Sequence, residues 1–400
     1  MYYCSIVTGL TKSEKFVDSL CQRAFLKLWS HPNPIGKKGK ELCDSLVVCG
    51  PHIIIISVKD IEYKDTGDEK GYERWTKRAL EKSADQIWGA ERWLQNTDEF
   101  VRSDGRKVTL PARKDRQYHR IAVALGSKGS VPMTWGEIKS GFVHVCDEKS
   151  LGAVFSVLDT ITDFTNFLSA TEEFLSAKMV VLFDGGGIED LLGIYLTNGS
   201  SYEHISREKP DLLTIANDHW EGFLKSETFA EMRREFSISL FWDKLINHLT
   251  EDLLTNGMIN HESGKVTQND LALTEMALLS RWARVEFANK LKALHSSDEV
   301  RSSLLRGEGK TAFVLLIASS EDREARVQEL HLRSLVARAR LPNCTTVVGI
   351  ATDRSGTSKI GYSHDIGYMH LPDWDDDWDE KVSSIQEELG YFSGLLAVEN

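Results

Sequence analysis

No stretch of this 400-residue chain approaches the roughly 18 consecutive apolar residues of a membrane-crossing helix, and the opening residues, MYYCSIVTGLTKSEKF, lack the basic-then-apolar order of a secretory signal. The expectation is a soluble, cytoplasmic protein without a membrane partner. Cysteine is sparse. Cys4, Cys21, Cys43, Cys49, Cys146 and Cys344 form no C-x-x-C pair and keep no regular spacing, which argues against a zinc site or a disulfide framework and for reduced thiols in the core. The histidines form no H-x-x-x-H pair on a helix, so the helical metalloprotease arrangement has no basis, and separations alone carry no Ser-His-Asp argument. The glycine run after Asp184, Gly185-Gly186-Gly187, is followed by no G-K-[ST], and Glu189 and Asp190 would repel a phosphate; it reads as a tight turn. Internal repeats and low-complexity segments are missing as well.

A strongly basic balance is also lacking, for the net charge is −12. That deficit is unevenly spread: residues 1 to 120 carry 22 Lys and Arg against 17 Asp and Glu, the remainder 26 against 43. A mildly basic first part joined to an acidic body suits a domain that meets phosphates attached to one that does not.

What the chain does have is a pair of apolar runs at residues 41 to 60, ELCDSLVVCGPHIIIISVKD. The Gly50-Pro51 turn between them predicts two buried strands in a hairpin. Side chains alternate faces along a strand, so Ile55, Ser57 and Lys59 share one face, with Lys59 at its end, and Asp44 arrives from the partner strand. Charges set against an apolar floor need a partner or a metal. Read blandly, Asp44 makes a strand-end hydrogen bond and Lys59 snorkels to water.

The elements around the hairpin follow an order. Residues 13 to 30 predict a helix with Ser13 as its N-cap and Phe16, Leu20, Ala24 and Leu28 inward. HPNPIGKKGK breaks it, and a polar loop from about Glu62 to Lys70 leads to a long amphipathic helix with Trp75, Leu80, Ile87, Ala90 and Leu94 inward. Residues 100 to 124 read as a basic hairpin or strand that closes the first sheet.

Helix, hairpin, helix and strand together with Asp44 and Ser57-Val58-Lys59 resemble the core of the PD-(D/E)xK nuclease superfamily, over roughly the first 120 residues. The resemblance implies a restriction-endonuclease-like mixed sheet flanked by helices and a site built on Asp44, Ser57 and Lys59. Ser57 stands where the family places its second carboxylate. Mg²⁺ or Mn²⁺ is the implied cofactor, held by Asp44, the Val58 carbonyl and Glu14, with Glu41 or Asp60 as further carboxylates. Lys82, Gln86 and Arg92 on the following helix and Arg113 and Lys114 in the basic stretch (Arg102, Arg106, Lys107, Arg113, Lys114, Arg116) are the implied DNA contacts. Gln86 matches half of the Q-x-x-x-Y that RecB-like members carry, since Ala90 replaces the tyrosine. The expected activity is metal-dependent endonucleolytic cleavage of DNA, in prokaryotic defence against foreign DNA, with an RNase in place of a DNase as a further alternative. The alternative is an inactive nuclease fold that binds nucleic acid or assembles.

The expected division is therefore a nuclease-like domain at 1–125 and a larger, acidic, helix-rich α/β or α+β domain at 130–400 that senses, scaffolds or oligomerises with a further copy or a partner protein. Met133 to Ser150 read as a connector running into the strand GFVHV. Helical patterns cover 151–178, about Leu212 to Leu254 with a break near Ser237, Asp270 to His295 and about Asp379 to Leu389. Two apolar strands flank a helix between Thr311 and Thr352, which predicts a parallel βαβ unit. The acidic DWDDDWDE (Asp373 to Glu380) lacks the spacing of a calcium loop and reads as a solvated loop docked by its tryptophans.

Overall fold

A computed structural model of the chain describes residues 10–64, 69–127, 136–176, 180–208, 212–255, 266–297, 301–318, 322–353 and 363–392. Cys4, the middle of the polar loop at 65–68, the start of the connector at Met133 and the end of the helical pattern at 177–178 lie outside these residues. The fold is mixed α/β, in two compact units, one ending at Arg234 and the other beginning at Glu235. The boundary expected near residue 125 falls instead between two strands of one sheet, as the pairing below shows.

In the first unit, helix α1 (Lys12–Trp29) starts in a reciprocal capping box: Thr11 accepts from the Glu14 N–H and Glu14 accepts from the Thr11 N–H. Thr11, and not Ser13, is the N-cap. The inward stripe is Val17, Leu20, Cys21, Ala24 and Phe25, rotated from the expected one, so that Phe16 is left 43% exposed. The helix delivers the chain to β1 (Ser30–Pro32) and then to the hairpin β2 (Ser45–Cys49) and β3 (His52–Asp60), whose register is Ser45 opposite Ile56. Gly50 turns the corner at φ 54°. Ile53 to Ile56 are wholly buried, and a fully buried isoleucine contributes about 1.5–3 kcal/mol. This is the strand that anchors the sheet.

The crossover from β3 runs through α2 (Glu69–Thr76), one π-helical turn (Lys77–Glu81) and α3 (Lys82–Leu94). Its inner face, with Trp75, Leu80, Ala84, Ile87 and Leu94, packs on Ile53, Ile55, Ala122 and Ala124 of the sheet. A small separate hairpin of β4 (Glu99–Val101) and β5 (Lys107–Thr109) follows, and β6 (Gln117–Leu125) then enters the main sheet parallel to β3. Beyond it come β7 (Gly136–Glu137) and β8 (Phe142–Cys146), and β8 pairs in parallel with β6. The order is β1-β2-β3-β6-β8-β7.

The predicted helix at 151–178 is two helices, α4 (Glu148–Val157) and α5 (Ile161–Ser176), because the Thr160 hydroxyl caps the Asp163 N–H and starts a second one. A parallel pair, β9 (Val180–Asp184) and β10 (Leu212–Ala216), is bridged by α6 (Ile188–Thr197) and α7 (Glu203–Glu208), and α8 (His219–Leu224) follows. The glycine turn between β9 and α6 is filled by its own acid: Asp190 is wholly buried and accepts from the Gly187 and Trp220 N–H groups at 3.0 Å each. Leu212 to Ala216 are thus a strand and not the start of a helix, and α9 (Glu227–Thr255) runs through Ser237 without a break.

The second unit holds the rest of α9, α10 (Gln268–Ala277) and α11 (Arg281–Ser296), which Ser280 separates by capping the Ala283 N–H. Its sheet, β11 (Ser302–Arg306), β12 (Thr311–Ala318), β13 (Thr346–Asp353) and β14 (His364–His370), has β12 and β13 parallel around α12 (Arg323–Arg340), as the flanking apolar strands predict. α13 (Asp376–Leu389) begins within the acidic stretch, with Asp375 as its cap; acids in a first turn complement the helix dipole, so DWDDDWDE is a helix start and not a loop. All five described cysteines are buried and unbridged. Among the described residues no helix is long and apolar enough to cross a membrane.

Candidate active site

Asp44 stands immediately before β2, opposite Ser57, which follows Ile56 on β3. It is only 5% exposed, and its Oδ2 accepts from the Val58 N–H at 2.6 Å and lies 3.5 Å from the Lys59 ammonium. The sheet therefore brings together the two charges that the hairpin predicts, on the α3 side. Lys59 completes its donors with the Val58 carbonyl at 3.2 Å and the Gln86 Oε1 at 3.0 Å. Ser57, wholly buried, donates its hydroxyl to the same Gln86 oxygen at 2.8 Å. An acceptor shared by two donors fixes the ammonium and the α3 side chain in one arrangement.

The carboxylates sort differently from one another. Burial, the charge of Asp44 and a hydrogen bond to it push the Glu41 carboxyl up to about 7, with Glu14 adding to the rise and Lys59 opposing it. Glu41 is thus the acid beside Asp44. Glu14 is occupied in the helix cap and reaches the site through its charge, while Asp60 accepts from the Ser13 hydroxyl of α1. The donor set is two carboxyls, Asp44 and Glu41, and the Val58 carbonyl. Among the described residues no three His, Cys, Asp or Glu side chains form a ligand group. Two neighbouring carboxyls, together with a peptide oxygen, nonetheless suit Mg²⁺, which takes hard oxygens and keeps several waters.

Of the predicted nucleic-acid contacts, Gln86 lies in the site. Lys82 is exposed one turn earlier on the same face of α3. Arg92 is exposed but lies roughly 120° around the helix from Gln86, out of line with it. The basic stretch is largely neutralised by its neighbours. Arg113 pairs with Asp98 at 3.0 Å and Arg116 at 3.5 Å, Lys107 pairs with Glu99 at 2.5 Å, and Arg102 and Arg106 flank Asp104 at 3.4 and 3.8 Å. The Arg113 hydrogen bond holds the Asp98 carboxyl below its usual value. Lys114 remains exposed.

Two features escaped the sequence reading. Arg120 of β6 pairs with the buried Glu91 of α3 at 2.5 Å and lies over the Trp88 ring at 4.4 Å. The signal was present: Glu91 falls four residues after Ile87 on the inward stripe, where a carboxylate requires a partner. On β3 and β6, His52 Nδ1 and His119 Nε2 stand 3.2 Å apart, which requires one ring to present a lone pair. Burial pushes His52 down to about 4 and His119 and the wholly enclosed His144 down to about 3. No family model, no curated protein and no solved structure matches this chain.

Proposed function

We propose that the first unit is a PD-(D/E)xK-type, metal-dependent nuclease that cleaves DNA, and that the chain acts in prokaryotic defence. The reading is supported by the order α1, three antiparallel strands, crossover helix and parallel strand β6. The observation that carries it is the 3.5 Å approach of the Lys59 ammonium to the Asp44 carboxylate, with Val58 between them in the chain. A bound Mg²⁺ would polarise the phosphodiester and lower the pKa of a water. Asp44, Glu41 and the Val58 carbonyl would hold it. Lys59 orients the attacking water and balances charge that develops on the phosphoryl oxygens, and Gln86 keeps its ammonium in place. Lys82, on the Gln86 face, meets the phosphate backbone.

A second reading, a nuclease fold that binds or assembles without cleaving, is favoured by Ser57, which gives Gln86 a hydrogen bond where the family pattern has a second carboxylate. The two separate in one experiment: digestion of supercoiled and linear DNA, and of RNA, over Mg²⁺ and Mn²⁺ titrations with EDTA as control. Cleavage that needs metal and is lost in Asp44→Asn and Lys59→Ala is the expected result. Equal cleavage by the Asp44→Asn protein would place the chemistry elsewhere, and metal-independent DNA binding without cleavage would favour the second reading.

A further inference from the structure

The second unit contains a cavity of about 730 Å³ between α9, α11 and the ends of β13 and β14. It has no part in the site above. The two helices build its walls from single faces: Ile238, Phe241 and Leu245 recur along α9 at the spacing of one stripe, and Ala288 and Leu291 do so along α11. Ile238 and Phe241 remain 37% and 47% exposed, an apolar surface left to water at the cavity's edge. The floor includes Thr352, at the carboxyl end of the parallel strand β13. Crevices at the carboxyl ends of parallel strands are where open α/β sheets bind ligands.

The titratable side chains of the lining are all basic. Lys244 and His248 project from α9, Lys292 and His295 from α11, and His364 from β14, where its ring stands 5.5 Å from that of His248. Among the described residues no carboxylate lines the cavity, and neither Lys244 nor Lys292 forms an ion pair. This occurs in a part of the chain, residues 235 to 400, where Asp and Glu outnumber Lys and Arg by 26 to 17. A local reversal of sign over an apolar enclosure of this size matches one class of ligand.

We infer that the second unit binds a small amphipathic anion, an apolar or aromatic body of about nucleotide size carrying a carboxylate or phosphate that Lys244 and Lys292 receive at the cavity's edge. The apolar body fills the space between Phe241, Leu245 and Leu291, and the anionic head replaces the water around the two ammonium groups. Carboxylate and phosphate ligands share this chemistry.

The test uses the full-length protein and two fluorescent probes of nearly one shape, 8-anilino-1-naphthalenesulfonate, which is anionic, and N-phenyl-1-naphthylamine, which is neutral. The expected result is saturable binding of the sulfonate at one site, weakened roughly tenfold or more in Lys244→Gln/Lys292→Gln and by added salt, with binding of the neutral probe weaker than that of the sulfonate by a similar factor. Near-ultraviolet circular dichroism of the variant must match the parent, which separates loss of the charges from loss of the fold. Phe241→Asp should weaken both probes. Competition by dodecanoate or by adenosine monophosphate then assigns the head group, and displacement by either supports the site. Neutral and anionic probes binding alike, the double variant binding undiminished, or displacement by neither competitor would overturn it.

Discussion

The Gln86 carboxamide oxygen of α3 lies 3.0 Å from the Lys59 ammonium of β3, and it accepts the Ser57 hydroxyl as well. A residue two positions from Lys59 and another on a different element thus govern one cation. Gln86→Leu removes the acceptor for both donors and leaves the buried Ser57 hydroxyl unsatisfied, so cleavage should fall by about tenfold or more and stability by about 1–3 kcal/mol. Ser57→Ala removes a donor and leaves Gln86 on Lys59, and should be the milder change in both. Initial rates and urea midpoints of the two variants check this order.

Asp44 has a structural duty beside its charge, because its Oδ2 accepts from the Val58 N–H inside the sheet. Asp44→Ala orphans that N–H and should lower stability by about 1–3 kcal/mol, whereas Asp44→Asn keeps an acceptor and should melt nearer the parent. Both should lose cleavage. Comparing thermal midpoints with plasmid nicking separates the two contributions.

The three buried histidines make the first unit sensitive to acid. His52, His119 and His144 protonate at about 4, 3 and 3 in the fold, against 6.5 when freely solvated. Between those limits the unfolded chain binds more protons, so stability is full above about pH 6.5 and is lost as pH falls toward 3–4. Asp18 and Glu41 oppose this: burial pushes the Asp18 carboxyl up to about 6, and burial with the Asp44 charge pushes that of Glu41 up to about 7, so their contributions are present below 3.8 and 4.5 and lost as pH rises to about 6 and 7. Three groups outweigh two. Urea midpoints should fall from pH 7.5 to pH 5, and His119→Gln/His144→Gln should flatten the dependence.

In the second unit, Asp243 is the counter-ion of Arg281, at 2.7 Å, and of Arg284, and both guanidinium groups are 2% exposed. Asp243→Ala leaves two cations buried without it and should destabilise the unit by roughly 3–5 kcal/mol. Hydrogen exchange followed by mass spectrometry on peptides from α9 to α11 reads this directly: exchange there should accelerate, with the β2–β3 hairpin unchanged.

The hairpin, its turn and the meeting of Asp44 with Lys59 were legible because an apolar run, a glycine turn and period-two alternation all specify one register. The βαβ unit from β12 to β13 was legible for the same reason. Helix ends were not, since single hydroxyls at Thr160 and Ser280 divide patterns whose apolar spacing continues across them. The inward face of α1 runs through Val17, Cys21 and Phe25 and not Phe16, because Phe25 packs against Phe155 and Phe164, which the local spacing does not report. The basic stretch looked like a phosphate track because sequence reports charge without its partners, and Asp98, Glu99 and Asp104 sit among those cations.

The π-helical turn at Lys77–Glu81 holds one residue more than an α-helical turn and advances everything after it by about 100°. Before it, Trp75 is fixed by its indole N–H to the Ile61 carbonyl at 2.8 Å; after it, Trp88 is fixed to the Ile138 carbonyl at 3.0 Å and Gln86 to Lys59. A regular helix of the same sequence would meet one of these anchorages and miss the other. The wide turn therefore acts as a vernier between two clamps, and it sets the phase at which α3 presents an amide to the cation on the neighbouring strand.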